Sequence, residues 1–198
     1  FALLPVFSDG MDLYRKALNS TDQEICFLYF YKIIEYYSPI AARITAYESL
    51  ARKLESLKYK NPTNKDLSDI VSITDKFRVS LSDKELAQSI LASSIDIVEL
   101  FPKLPEEIKK RISKALHFNQ SDLSYSTKTE ILQSIINYVG NILYSTRNSI
   151  VHAKSNYKSD SNECKPSDLF TLNEFLKDAC YSIISWNCKL SDHLKIAE

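Results

Sequence analysis

Arg147, Asn148 and His152 lie close together in the stretch TRNSIVHAK, inside an otherwise apolar, helix-like run. On a helix successive residues turn by about 100°, so Asn148 and His152, four apart, stack on one face. There the amide can hydrogen-bond the imidazole and fix its tautomer. Arg147 points away from His152, yet its long side chain can bend toward the same anion. A guanidinium holds a phosphate through two hydrogen bonds, and an imidazole moves protons near neutrality. Together they are what phosphoryl chemistry needs. The opposing reading is a helix C-terminus dressed with cations, which the helix dipole favours.

The chain supplies its own control. RISKALH, Arg111 to His117, also sets an arginine a few residues before a histidine. There the residue after arginine is Ile112 and the imidazole has no amide at helical spacing, so this copy reads as coincidence.

Further residues qualify around the first cluster. Glu35 is the lone acid within the apolar run Ile25 to Tyr37. It could position Arg147 by a paired hydrogen bond, or sit at a helix edge with its head in water. Lys154 and Lys158 could add phosphate contacts, or be solvated loop lysines. Gly140, two turns before Arg147, would admit a partner helix closely, either at a dimer seam or within the subunit. Tyr29, Tyr31, Tyr36 and Tyr37 could stack bases, or belong to the core.

The elements that must position these groups read as helices. Four pairs of a hydroxyl with a glutamate three residues later mark helix starts: Thr21/Glu24, Ser82/Glu85, Thr127/Glu130 and Thr171/Glu174. After the first, ICFLYFYKIIEYY is apolar on more than one face and predicts a central buried helix, broken or kinked at Pro39. Ile44, Tyr47, Leu50, Leu54 and Leu57 then form one stripe. Shorter helices are predicted over 65–78, 83–100 and 105–116, with HFNQSDLSYS a loop. Leu132, Ile135, Ile136, Val139, Leu143 and Ile150 give the motif helix a core face. KSNYKSDSNECKPSD reads as a polar loop. The last helix carries Leu172, Phe175, Leu176, Ala179, Ile183, Trp186 and Leu190. The expectation is a single all-α domain over 1–198, a bundle with long helices near both ends and shorter ones between.

Bulk properties narrow the function classes. The chain has 198 residues, 25 basic and 25 acidic, so no net field recruits a polyanion and any such partner needs a local cluster. Two glycines against twelve tyrosines and nine phenylalanines favour helices over turn-rich sheets. Cys26, Cys164, Cys180 and Cys188 show no paired spacing, the pattern of a reduced, cytoplasmic protein. His117, His152 and His193 lack the spacing of a zinc site. No metal or other cofactor is expected. FALLPVF is too short for a signal peptide and no stretch approaches a membrane span. A first residue other than methionine fits a domain excised from a longer protein.

LYSTRNSIVHAK, closing a long apolar helix, resembles the motif of the HEPN superfamily: an arginine, a polar residue, three variable positions and a histidine. FLYFYKIIEYYSP resembles the aromatic-rich first helices of its Apea-like branch, found in prokaryotic defence proteins, and FLKDACYSIISW the helix after the motif helix. Roughly 60–124 looks like branch-specific insertion. The resemblance implies a HEPN-like bundle that forms a homodimer with motif helices facing across the two-fold axis. It implies a metal-independent endoribonuclease acting in anti-phage defence or as a toxin-like effector, with a sensor domain or antitoxin as a further partner. Arg147 would bind the scissile phosphate, His152 act as general base or acid, and Asn148 orient it. The ribose 2′-hydroxyl would attack, leaving a 2′,3′-cyclic phosphate, so RNA is the implied substrate. Relatives regulated by tyrosine modification carry a tyrosine where this chain has Lys154, and Tyr157 lies too far along to replace it. A non-catalytic module that dimerises, or holds a ligand or RNA, is the alternative.

Overall fold

The computed structural model describes residues 9–78, 81–152, 162–191 and 194–195. Among the described residues eight α-helices form a bundle and no strand occurs. They are α1 (Asp9–Asn19), α2 (Gln23–Leu57), α3 (Asn64–Arg78), α4 (Asp83–Ser94), α5 (Ile97–Leu100), α6 (Glu106–Leu116), α7 (Thr129–Val151) and α8 (Leu169–Lys189). Short 3-10 turns, Phe101–Lys103, Gln120–Asp122 and Pro166–Asp168, join them. Helix α2 is the axis of the bundle, packed by α1, α4 and α8, with α3 and α7 alongside. Its buried face, Phe27, Phe30, Tyr31, Ile33, Ile34 and Tyr37, meets Ile135, Val139 and Leu143 of α7 and Leu172, Phe175 and Leu176 of α8 in one core.

Local chemistry explains where the helices start, and where the expected starts move. Asp22, rather than Thr21, caps α2, its carboxylate accepting from the Glu24 and Ile25 amides at 2.8 and 3.1 Å. Ser82 and Glu85 form the expected reciprocal box at the head of α4. Thr127 instead closes the preceding turn, accepting from the Ser124 amide at 3.0 Å. Helix α8 starts at Leu169, straight out of the Pro166 turn, which puts Thr171 inside it. The helix expected over 83–100 is two helices, because Asp96 caps a new start through the Val98 and Glu99 amides.

Pro39 does not break α2, which runs for 35 residues. Proline lacks the N–H that would reach the carbonyl of Glu35. The buried hydroxyl of Ser38 donates to that carbonyl at 3.0 Å instead, so the backbone acceptor is satisfied and the helix continues. The stripe after it is less buried than its pattern suggests, with Tyr47 and Leu54 about half exposed.

Helices α4 and α7 cross at Gly140. A side chain there would come within 2.7 Å of Gln88 Cγ. Gln88 in turn donates to the Asn137 carbonyl at 3.1 Å and to Asn141 Oδ1 at 2.8 Å. The close approach is therefore made within the subunit, and the Gly140 face is filled rather than open for a dimer seam.

Candidate functional site

Helix α7 carries the motif on its last turns. Ile135, Ile136, Val139, Ile142, Leu143 and Thr146 are buried, whereas Arg147 and Asn148 are half-buried and Val151 and His152 exposed. The buried Thr146 hydroxyl donates to the Ile142 carbonyl at 2.7 Å and accepts from the Cys164 amide at 2.9 Å. This joins the end of α7 to the segment leading into α8. Burial pushes the Cys164 thiol up to about 12, so it stays protonated and inert.

Arg147 is held on two sides. Its Nη2 lies 3.6 Å from Glu35 Oε1, and its Nη1 donates to Asn148 Oδ1 at 3.1 Å. The Glu35 contact is an ion pair longer than the paired hydrogen bond expected of it. Burial raises the Glu35 carboxyl above its ordinary range, Arg147 pulls it back, Asp83 raises it further and Lys32 lowers it.

Arg147 and Glu35 border a cleft of about 380 Å³ between α2 and α7. Ile25, Leu28 and Val151 supply apolar wall, Tyr29 and Tyr31 aromatic groups, and Lys32, Glu35 and Arg147 charge. The Lys32 ammonium lies 5.8 Å from the centre of the Tyr29 ring. A smaller hollow of about 140 Å³ adjoins it, bordered by Glu35, Ser38 and Asp83. Glu35 and Asp83 make that hollow the acidic end, while Arg147 and Lys32 supply the cations of the larger cleft.

The structure treats the expected site residues unequally. Arg147, Asn148 and Glu35 come together. His152 lies one residue past the end of α7 with φ −106° and ψ 24°, exposed, its backbone amide donating to the Asn148 carbonyl at 2.9 Å. It is linked to Asn148 through the backbone, while the Asn148 side chain faces the arginine. Lys154, Lys158, Tyr157 and His193 lie outside the described residues. Tyr29 and Tyr31 line the cleft, Tyr31 as part of the core, whereas Tyr37 is core alone, its ring packed on Tyr36 and against Gly10. The second arginine–histidine copy has other tasks. His117 ends α6 in the left-handed conformation, φ 54°, and Arg111 donates to the Glu163 carbonyl at 3.2 Å.

Sequence reasoning passed over Lys32, Asp83 and Thr146. Lys32 left a signal, being the single cation within the same apolar run that singled out Glu35. Asp83 and Thr146 left none, since their importance depends on what α2 and the α8 approach bring to them.

A family model, methylamine utilization protein MauJ, matches residues 11–93. That finding overturns the resemblance to the HEPN superfamily, a different family. The expected defence or toxin-like role rested on that resemblance alone. The match covers α1 to α4, including Tyr31, Lys32, Glu35 and Asp83, and stops before the helix bearing Arg147. No curated protein and no solved structure matches the chain. Among the described residues no helix is long and apolar enough to cross a membrane, and no group of three or more His, Cys, Asp or Glu is placed to hold a metal ion.

Proposed function

We propose that the cleft between α2 and α7 binds the backbone of RNA and that the chain is a metal-independent endoribonuclease. The observation that carries this reading is Arg147, half-buried at an open cleft, braced by Glu35 and Asn148 and flanked by Lys32. A guanidinium held this way presents its remaining N–H groups at fixed angles, which suits a phosphodiester and its developing charge. His152 then accepts the proton of the ribose 2′-hydroxyl. The 2′-oxygen bonds to phosphorus, the bond from phosphorus to the 5′-oxygen breaks, and imidazolium or solvent returns a proton to that oxygen. The products are a 2′,3′-cyclic phosphate and a 5′-hydroxyl. DNA, lacking the nucleophile, is bound but not cut.

The test is cleavage of a labelled RNA oligonucleotide in chelator, with products resolved by end chemistry. Wild-type protein yields cyclic phosphate ends, Arg147→Ala yields them about 10²–10³ times more slowly, and His152→Ala yields none. Cleavage by His152→Ala at the wild-type rate refutes the assigned role.

One observation favours a second reading, a non-catalytic RNA- or ligand-binding module. Val151, and not His152, borders the cleft. Tight binding without turnover by the wild-type protein would establish that reading.

A further inference from the structure

The Tyr31 hydroxyl is unaccounted for. The residue is 1% exposed, and its oxygen has no hydrogen-bond partner among the described residues. Its ring stacks on Phe27 at 6.1 Å, which fixes it in the core. An unpaired buried hydroxyl is disfavoured by the loss of its hydration, and native structures keep such groups rarely and for a reason. Tyr31 lines the same cleft as Arg147, and Glu35, one turn on along α2, lines it too. Tyr31 thus brings a hydroxyl that can donate, and Glu35 a carboxylate that accepts, to one cleft that also has apolar and aromatic wall.

We infer that this cleft is a nucleobase subsite, in which Tyr31 and Glu35 read the Watson–Crick edge of the base attached to the nucleotide whose phosphate Arg147 holds. The inference rests on Arg147 as the phosphate-binding group. A nucleobase has a flat apolar face and an edge on which a donor and an acceptor stand side by side, the complement of this pair. About 380 Å³ lies toward the small end of the usual size of small-molecule sites. Because the edge that is read is the one used in base pairing, the bound nucleotide is unpaired. The substrate is single-stranded there, as is usual where RNA bases are read.

The test separates this subsite from the nuclease reading. Binding of the four nucleoside 5′-monophosphates and of ribose 5-phosphate is measured by calorimetry on the wild-type, Tyr31→Phe, Arg147→Ala and His152→Ala proteins. At least one nucleotide binds the wild-type protein about tenfold or more tighter than ribose 5-phosphate, and Tyr31→Phe removes most of that margin, roughly one hydrogen bond's worth. Arg147→Ala weakens all five probes, whereas His152→Ala leaves the margin between nucleotides and ribose 5-phosphate in place. Thermal melting of Tyr31→Phe excludes a merely structural role: removing an unpaired hydroxyl leaves the melting temperature unchanged or raised. Equal binding of nucleotides and ribose 5-phosphate, or an unaltered margin in Tyr31→Phe, overturns the subsite, and RNA cleavage would then still stand. A base-dependent margin without any cleavage overturns the nuclease reading and keeps the subsite.

Discussion

Replacing Arg147 by alanine separates a working group from a structural one, and the structure sets both magnitudes. Two unit charges 3.6 Å apart attract by about 1 kcal/mol at the dielectric constant of water. The two side chains are 28% and 40% exposed, so solvent screens the pair and its net worth falls within the roughly 0–1 kcal/mol of surface ion pairs. Moreover, burial outweighs Arg147 in setting the Glu35 proton affinity. Glu35 answers the loss of its partner by holding a proton more readily, which blunts the cost further. Arg147→Ala should thus lower stability by less than about 1 kcal/mol, a melting shift of no more than ~2–4 °C. Its effect on RNA is larger. Removal of one transition-state donor lowers turnover by about 10²–10³, and loss of one phosphate contact flattens the salt dependence of single-strand binding by about 0.7. Cleavage of a fluorogenic oligonucleotide in chelator, binding titrations at several salt concentrations and thermal melts measure all three. Unchanged turnover, or a melting temperature that collapses by ten degrees or more, shows the reasoning to be wrong.

Three other outcomes follow from the same geometry. His152→Ala, at an exposed position past the helix end, leaves the melting temperature within about 2 °C, since surface changes of this kind stay near ±0.5 kcal/mol, while RNA cleavage disappears; a product assay and a melt read both. Glu35 has a raised carboxyl pKa, so its contribution to stability is fully present below about 4.5, its value when unfolded, and is lost as pH rises through its folded value. Glu35→Gln removes that dependence, so the melting temperature of the variant relative to wild type climbs as pH is raised from 4 to 8; a flat or falling difference contradicts the raised pKa. Gly140→Ala forces Gln88 aside and breaks its bonds to α7, an overpacking cost of about 1–3 kcal/mol offset by roughly 1 kcal/mol of helix propensity. The net loss should largely vanish in a Gln88→Ala background, as denaturant titration of the double-mutant cycle would show.

The bundle was legible because its helices bury one face or nearly all of themselves, and both patterns are local. The stripes on α7 and α8 and the all-round apolar start of α2 follow from periodicity alone. Helix ends were less legible, since Asp22, Asp96 and the Pro166 turn compete with neighbouring residues for the same amides. Arg147 could be singled out by type and spacing. The partner of Asn148 could not, because the four-residue stacking argument assumes a helix that continues through His152. The helix stops at Val151, His152 takes non-helical dihedrals as its cap, and the Asn148 amide oxygen accepts from the neighbouring guanidinium. The Glu35 contact joins residues far apart in sequence, and only the crossing of α2 with α7 sets its 3.6 Å length.

The departures from local rules are themselves concentrated. Between Tyr31 and Pro39, helix α2 holds a buried hydroxyl without a partner, a carboxyl with a raised proton affinity, a buried serine and a proline inside a helix. The proline and the serine weaken a helix taken alone, and the buried hydroxyl and carboxyl lose hydration. The Ser38 hydroxyl repairs the backbone at Pro39 by bonding the carbonyl of Glu35, the same residue whose side chain meets Arg147. Proteins tolerate such conflicts mainly where a site needs them. Here they face the cleft or adjoin its acidic end, while the equally long apolar faces of α7 and α8 are occupied by packing. That contrast supports the proposed working surface on the middle of α2 opposite Arg147, with α2 contributing as much to the cleft as the helix that carries the motif.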